Sequence, residues 1–175
     1  MTILAISGSG RARSTNSALL RAVAEIAEPP YEVTIFSGVA DLPVFSPDLE
    51  EEPLPDTVHG FIDMVTNCDG LIISSPEYVR AIPGGLKNAI DWLVSREEII
   101  NKPIALMHAS HRGDDMLAQL RLVLSTVSQR FSHDLFLRFE LMTHSPEEIA
   151  QHMAQPSNRA AVTEFLRNFA TYCRD

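Results

Sequence analysis

Five short apolar runs recur along the chain with helical segments between them, and this alternation leaves few possible folds. The runs are Ile3–Ile6, Glu32–Phe36, Gly70–Ile73, Pro103–Met107 and His133–Leu141. Strands that are apolar on both faces and alternate with helices favour a parallel sheet between two helix layers. The sequence therefore predicts an α/β fold of three layers around a five-stranded parallel sheet.

The segments between the runs have the apolar period of amphipathic helices. The clearest sets are Leu86, Ala89, Ile90, Leu93 and Val94, then Leu117, Leu120 and Leu124, and Val162, Phe165, Leu166, Phe169 and Ala170. Asp114 and Asp115 are expected to cap the second of these helices. Ser145-Pro146-Glu147-Glu148 predicts a further helix start, because it offers an N-cap, a first-turn proline and a carboxylate. The predicted order is βαβαβαβαβα.

Length and charge restrict the class of protein. The chain has 175 residues and a net charge of −9, which favours one domain over residues 1–175 with a core of its own. Without an excess of basic residues, no nucleic acid or anionic membrane partner is expected. Two distant cysteines, no signal-peptide pattern and no long apolar run favour the cytoplasm. The stretch from Leu42 to Pro55 is interpreted as one long connection.

In open sheets of this kind, ligands bind beyond the carboxyl ends of the strands. The loop after the first strand begins Ser7-Gly8-Ser9-Gly10-Arg11 and enters a helix near Ser14-Thr15-Asn16-Ser17. Glycines, hydroxyls, an amide and arginines at a helix start predict a cradle for a terminal monophosphate. Arg13 stands where a dinucleotide fingerprint requires its third glycine, and its bulky side chain would obstruct the pyrophosphate of a dinucleotide. The alternative is that these hydroxyl residues only cap the helix and shape the turn.

A second shaped loop follows the third strand, between Pro76 and Pro83, and four motifs in the chain then carry a family resemblance. They are Gly-Ser-x-Arg-x-x-Ser-x-Asn (8–16), Leu-Pro-x-Phe-x-x-Asp-Leu-Glu (42–50), Pro-Glu-Tyr (76–78) and Pro-Gly-x-Leu-Lys-Asn-Ala-Ile-Asp-Trp (83–92). Together they resemble the NADPH-dependent FMN reductase family of flavodoxin-like proteins, which includes quinone and azo-dye reductases.

The resemblance implies a flavodoxin-like fold with FMN as cofactor and NADPH or NADH as reductant. It implies that the FMN phosphate is held by Ser9, Arg11, Ser14, Thr15 and Asn16, and Ser17 is expected to belong to the cofactor site as well. The backbone amides of the loop Pro76-Glu77-Tyr78-Val79 would face the pyrimidine edge of the ring, and Ser110 completes the expected cofactor site. The flavin carries the chemistry, so no catalytic side chain and no metal ion are expected.

The implied activity is ping-pong transfer of two electrons to a quinone or another small acceptor. The implied assembly is a homodimer or homotetramer. The helices beginning at Gly84 and near Asp114 are candidates for its interface.

Three departures from the family pattern leave alternatives open. Val79 and Ala81 replace the usual Asn and Ser, and the segment His111–Asp115 is bulky and charged where the family often has glycines. One alternative is a divergent binding or regulatory protein with weak or lost reductase activity, and another is a one-electron carrier. His111 and Arg112 could contact the ring or the nicotinamide phosphate. His108-x-x-His111 has no third ligand at suitable spacing, so it does not predict a metal site.

Overall fold

The five apolar runs form one parallel sheet in the computed structural model, which describes residues 1–51 and 53–175. Glu52, within the connection expected from Leu42 to Pro55, lies outside the described residues. The strands are β1 (Thr2–Ser7), β2 (Glu32–Phe36), β3 (Gly70–Ser74), β4 (Ile104–His108) and β5 (Phe131–Arg138). Their order is β2-β1-β3-β4-β5 with every pair parallel. The predicted five-stranded parallel sheet is confirmed.

Helices cover both faces of this sheet. They are α1 (Thr15–Ile26), α2 (Asp56–Thr66), α3 (Gly84–Asp91), α4 (Glu97–Ile100), α5 (Asp114–Val127), α6 (Pro146–Met153) and α7 (Pro156–Arg174). Alternate strand residues face opposite layers. Thus Leu4 and Ile6 pack with α2, α3 and α5, whereas Ile3 and Ala5 pack with α1, α6 and α7. The predicted three-layer architecture is confirmed. In the part of the chain that the structure describes, no helix is long and apolar enough to cross a membrane.

The fifth strand differs from its predicted span of His133–Leu141. It begins at Phe131 and ends at Arg138. Phe139 and Leu141 are buried beyond its end, where they join the core against α1, α6 and α7. The Phe139 N–H still donates to the carbonyl of His108, the last residue of β4, and the Leu141 N–H donates to the carbonyl of Ala109. The apolar run therefore continues past the strand because it covers the core, a signal that periodicity cannot separate from pairing.

Two helix predictions also need correction. The helix starting at Gly84 ends at Asp91, and Val94, predicted to lie on its apolar face, is exposed. The short helix α4 was not predicted. The predicted order ends in one helix after the fifth strand, whereas the structure has two, α6 and α7. Pro156 lies in the first turn of α7, where the absence of an N–H costs no hydrogen bond. The expectation of a single domain over residues 1–175 stays a prediction.

Two residues of the motif at 83–92 hold the long connection against α3. The side-chain oxygen of Asn88 accepts from the Phe45 N–H at 2.7 Å, and its amide nitrogen donates to the Pro43 carbonyl at 2.9 Å. The indole N–H of buried Trp92 donates to the same carbonyl at 2.8 Å. These bonds satisfy backbone groups that no strand pairs. They fix the start of the connection beside the carboxyl ends of β1 and β3.

Candidate functional site

A cleft of about 360 Å³ opens beyond the carboxyl ends of β1, β3 and β4. Three loops form its walls, and its lining residues are Ser9, Arg11, Ser14, Thr15, Asn16, Pro76, Glu77, Tyr78, His108, Ala109, Ser110, Arg112, Gly113 and Met142. These include every residue that the sequence assigned to a cofactor, except Ser17 and Val79. A crevice in this place is the general expectation for an open α/β sheet.

The first wall presents hydroxyl groups that are ready to donate. The Ser9 oxygen accepts from the Arg11 N–H at 3.2 Å, and the Ser14 oxygen accepts from the Ser17 N–H at 3.3 Å. Both side chains are buried. Because each oxygen already accepts a bond, its own hydrogen remains available for an anion in the cleft. These hydroxyls therefore cap and shape the loop and can also bind, so the two sequence interpretations are compatible.

The start of α1 adds further donors. The Ser74 hydroxyl donates to the side-chain oxygen of Asn16 at 2.8 Å, which leaves the amide hydrogens of Asn16 free to donate. No acidic residue lies in the first turn of α1, and the Arg11 guanidinium lines the same wall. Unbonded N–H groups and the helix dipole favour an anion here.

The first loop lies tightly against the end of β3. The Gly8 N–H donates to the Ser74 carbonyl at 2.8 Å. A Cβ atom at Gly8 would lie only 2.5 Å from the Ser75 hydroxyl oxygen, so the position requires glycine. Beneath this loop the Ser17 hydroxyl shares a 2.7 Å hydrogen bond with Ser7. Ser17 therefore lies under the wall and supports it, outside the cleft lining.

The second wall is the segment after β3, and Glu77 joins it to α5. A Glu77 carboxylate oxygen accepts from the Met116 N–H at 3.0 Å, which satisfies an otherwise open donor in the first turn of α5. The prediction that Asp114 and Asp115 cap this helix is wrong: its N-cap is Gly113, with no side-chain cap bond. The two aspartates bind arginines, as Asp114 does with Arg138 and Asp115 with Arg80, at 2.5 Å each. A cap that comes from a residue far away in the sequence cannot be predicted from the spacing of neighbouring residues.

Beyond Glu77 the chain makes a tight two-residue turn. Tyr78 and Ala81 exchange backbone hydrogen bonds at 3.2 and 3.0 Å. Between them Val79 has φ 53° and Arg80 has φ 60°. A β-branched residue is strained in this left-handed region, and Asn or Gly is the usual choice in such a turn. Val79 is 99% exposed and contributes no packing to offset the strain.

This turn restricts which backbone amides the second wall can offer a ligand. Pro76 has no N–H, and the Tyr78 N–H is used inside the turn. Within the described residues, the Glu77 and Val79 N–H groups have no acceptor. Of the loop amides expected from the resemblance, those of Glu77 and Val79 remain as donors, and of these two residues only Glu77 lines the cleft.

Replacing Val79 with Asn should raise the free energy of unfolding by about 1 kcal/mol, because Asn tolerates the left-handed conformation. Urea unfolding of the two proteins measures the difference. Val44→Asn is the matched control, since Val44 is 82% exposed and does not have a positive φ. It should change the stability by less than about 0.5 kcal/mol. Equal effects of the two substitutions would contradict the assignment of strain to Val79.

The third wall follows β4 and contains residues that the sequence left unassigned. His108 is 1% exposed, and its Nε2 lies 2.5 Å from the Arg112 carbonyl oxygen, to which it donates as the neutral tautomer. Gly113 has φ +100°, and a Cβ there would lie 2.8 Å from that Nε2. Ser110, predicted from the sequence, lines the cleft, whereas exposed His111 does not. Met142 comes from beyond β5, and no motif singled it out.

Burial lowers the pKa of His108, and the nearby Arg138 charge lowers it further. The hydrogen bond to Arg112, the backbone of Ser75 and the Asp114 charge oppose this shift. Desolvation dominates because the ring is enclosed and its Nδ1 has no hydrogen-bond partner in the part of the chain described. His108 is therefore neutral near pH 7.

This shift predicts how stability depends on pH. Below about pH 6.5 the unfolded chain binds a proton at His108 before the folded chain does. The contribution of His108 is fully present above that pH and declines as the pH falls, by at most about 1.4 kcal/mol per pH unit. Urea unfolding from pH 7.5 to 5.5 should show a steeper loss in the wild type than in His108→Gln, which cannot titrate. Parallel pH profiles would contradict the prediction.

These walls suit a flavin mononucleotide. A concave set of hydroxyl, amide and guanidinium donors at a helix start matches a phosphate monoester, and the Pro76–Tyr78 segment and the β4 loop form the remaining walls of the cleft. Among the described residues, no three His, Cys, Asp or Glu side chains are grouped so as to hold a metal ion.

Several known proteins are similar to this chain in sequence or in fold. Residues 1–133 match the family model described as NADPH-dependent FMN reductase. Quinone reductase of Escherichia coli K12 is 34% identical over 113 residues, which cover 63% of this chain and 60% of that protein. A 2-hydroxy-1,4-benzoquinone reductase of Burkholderia sp. is 36% identical over 92 residues, 53% of this chain and 49% of the relative.

Among solved structures, FerB from Paracoccus denitrificans, a flavoenzyme NAD(P)H:(acceptor) oxidoreductase, superposes with a TM-score of 0.72. It has 23% identity and covers 98% of each chain. At this identity the superposition supports the flavodoxin-like fold alone. The family match covers the three strands whose loops build the cleft, and it includes the motifs at both the first and the second wall. The chain therefore belongs to the NADPH-dependent FMN reductase family.

Proposed function

We propose that this protein binds FMN in the cleft and uses NAD(P)H to reduce a quinone-like or other small acceptor. The observation that carries the proposal is the donor-rich start of α1 facing the Glu77–Tyr78 loop across one cleft. FMN, when bound, would accept a hydride from the reductant and pass two electrons to the acceptor in a ping-pong cycle. The protein itself would bind and orient the flavin and supply hydrogen-bond donors at fixed positions.

The phosphate would be held by the first wall. Ser9, Ser14 and Thr15 offer hydroxyls, Asn16 offers its amide, and Arg11 offers a positive charge. Ser17 supports this arrangement through Ser7. Charge-assisted hydrogen bonds of this kind are short and strong. The anchoring of FMN would therefore depend more on its phosphate than on its ring.

The flavin ring would lie against the second and third walls. The Glu77 N–H would donate to its pyrimidine edge, and a fixed donor at that edge favours the reduced cofactor because its negative charge is located there. Tyr78, His108 and Ser110 would line the remaining surface. We assign no side chain as a catalytic acid or base.

A quinone as acceptor is supported by the names of two relatives, the Escherichia coli quinone reductase and the Burkholderia 2-hydroxy-1,4-benzoquinone reductase. The match spans 60% and 49% of the lengths of these proteins. The acceptor class is accordingly part of our proposal.

The test is addition of FMN to the purified protein while flavin fluorescence is followed, and then NADPH oxidation with a benzoquinone acceptor. One FMN per chain and acceptor-dependent oxidation are expected. Double-reciprocal plots at several acceptor concentrations should give parallel lines. A protein that takes up no FMN would overturn the proposal, whereas intersecting lines would overturn only the ping-pong cycle.

A second candidate is an FMN-binding or regulatory protein with little reductase activity. The strained Val79, where the family usually has Asn, is the observation that favours it. The same experiment separates the two candidates, since tight FMN binding without NADPH oxidation would support the second.

We further propose that the chain forms a homodimer or homotetramer in the cytoplasm. Exposed apolar side chains on or beside the two helices expected at the interface support assembly: they include Leu122 on α5 and Val94 after α3. Light scattering of the purified protein tests the assembly, and a monomer at micromolar concentration would contradict it.

A further inference from the structure

Two arginines line the cleft without a carboxylate partner among the described residues, and the proposed function uses only one of them. Arg11 belongs to the phosphate cradle, whereas Arg112 lies on the third wall. Other arginines around the cleft are paired: Arg13 with Glu147, Arg80 with Asp115 and Arg138 with Asp114. An unpaired guanidinium at the wall of a cleft, in a chain of net charge −9, is available to an anionic ligand.

The backbone of Arg112 is fixed on both sides. Its N–H donates to the Ser110 hydroxyl oxygen at 2.9 Å, and its carbonyl accepts from His108 Nε2 at 2.5 Å. The next residue, Gly113, is buried and has a left-handed conformation. Loop residues are usually mobile. The Arg112 side chain is exposed, but its backbone N–H and carbonyl are both hydrogen-bonded. The loop is therefore already ordered, and less conformational entropy is lost when a ligand binds.

The acidic residues that follow do not neutralise this arginine. Asp114 and Asp115 come directly after Gly113, but each is bonded to another arginine at 2.5 Å. The hydrogen bond from Arg80 lowers the pKa of Asp115 and keeps it ionised for that pair. The charges of Asp114 and Asp115 are thus already compensated, and the Glu77 carboxylate on the second wall is bonded to the Met116 N–H. Within the described residues, no carboxylate is bonded to Arg112.

The position of Arg112 indicates which anion it would meet. FMN has a single phosphate, and the cradle for it lies at the β1 end of the cleft. A second anion at the β4 wall would come with another ligand of the reaction, and of the reductant and a quinone acceptor only the reductant carries phosphate groups. We infer that Arg112 binds a phosphate group of the nicotinamide dinucleotide reductant, with His108 and Ser110 as positioning residues. This inference rests on the proposed function. The phosphate is either the diphosphate of every such reductant or the 2′-phosphate of NADPH alone.

Arg112→Gln in the FMN-loaded protein tests the contact. Loss of one charge-assisted contact should raise the KM for NADPH about 10- to 100-fold with little change in kcat. An equal rise for NADH would assign the diphosphate, and an unchanged KM for NADH would assign the 2′-phosphate. Arg112→Lys should retain part of the affinity, since it keeps the charge but loses the planar fork. Arg13→Gln, which removes an exposed arginine already paired with Glu147, should leave both KM values unchanged.

Binding of fragments supplies a readout that does not depend on turnover. Calorimetric titration with 2′,5′-ADP and with ADP should show weaker binding of at least one of them to Arg112→Gln, by the same factor as the KM change. Both titrations are made with and without FMN. Failure of the wild type to take up FMN would end the proposed function, and the fragment titrations would still test Arg112.

The positioning role of His108 has its own test. His108→Gln keeps a side-chain donor that can reach the Arg112 carbonyl, whereas His108→Leu has none. The KM for NADPH should rise about 10-fold in the Leu variant and much less in the Gln variant, while thermal unfolding verifies that both are folded. Equal KM values in both variants would overturn this role. An Arg112→Gln protein with weaker FMN binding but unchanged KM values and fragment affinities would overturn the inference itself, as would one with no change at all.

Discussion

Replacing Asn16 with Asp is expected to weaken FMN binding at least about 100-fold. The substitution preserves size and the acceptor for the Ser74 hydroxyl, but it replaces two amide donors with a negative charge inside the proposed phosphate cradle. Two unit charges about 4 Å apart repel by about 4 kcal/mol at an effective dielectric constant of 20, and the phosphate carries up to two. Fluorescence titration of flavin into the variant and the wild type measures the loss.

Riboflavin is the matched ligand for this variant because it lacks only the phosphate. Asn16→Asp should change riboflavin affinity by less than about threefold, since Asn16 is assigned to the phosphate alone. The fold should be retained, as a helix start favours an acidic residue. If FMN and riboflavin lost affinity to the same extent, the phosphate would not lie at the start of α1.

Gly113→Ala should lower the free energy of unfolding by about 2–5 kcal/mol. A left-handed conformation costs a non-glycine residue about 1–2 kcal/mol. The new Cβ would also lie 2.8 Å from His108 Nε2, which cannot retreat without losing its bond to the Arg112 carbonyl; overpacking of this kind typically costs 1–3 kcal/mol. The third wall would shift, so FMN affinity should fall as well. Urea unfolding and flavin titration measure the two effects.

Gly60→Ala is the matched control. Gly60 lies inside α2, and a Cβ there would meet nothing within 4 Å. Alanine favours a helix more than glycine does, so stability should rise by about 0.5–1 kcal/mol. Opposite changes in the free energy of unfolding for the two Gly→Ala substitutions would separate the backbone and contact effects at Gly113 from any general effect of the added methyl group. A neutral Gly113→Ala would contradict this account of the third wall.

The sequence was sufficient to predict the strands of the sheet and the residues of the first wall, since both depend on patterns among neighbouring residues. Apolar runs and helical periods are properties of neighbouring residues, and they predicted the five strands and both helix layers. The Gly8–Asn16 motif likewise brings its donors together within one loop and one helix turn.

The other two walls depend on contacts between distant segments, and the sequence did not predict these. Nothing around Asp114 indicates that Glu77, 39 residues away from Met116, accepts the open N–H of α5. The pattern also gave no sign that Val79 adopts a positive φ, because a valine is rarely found there. His108 drew attention as one half of a possible metal pair, and its bond to the Arg112 carbonyl became visible only in three dimensions.

The most direct measurement is a parallel titration of the wild-type protein with FMN and with riboflavin under the same conditions. We expect one FMN per chain, bound at least about 100-fold more tightly than riboflavin, because several charge-assisted contacts go to the phosphate. Equal affinities for the two flavins would contradict the central claim that the start of α1 holds a mononucleotide phosphate.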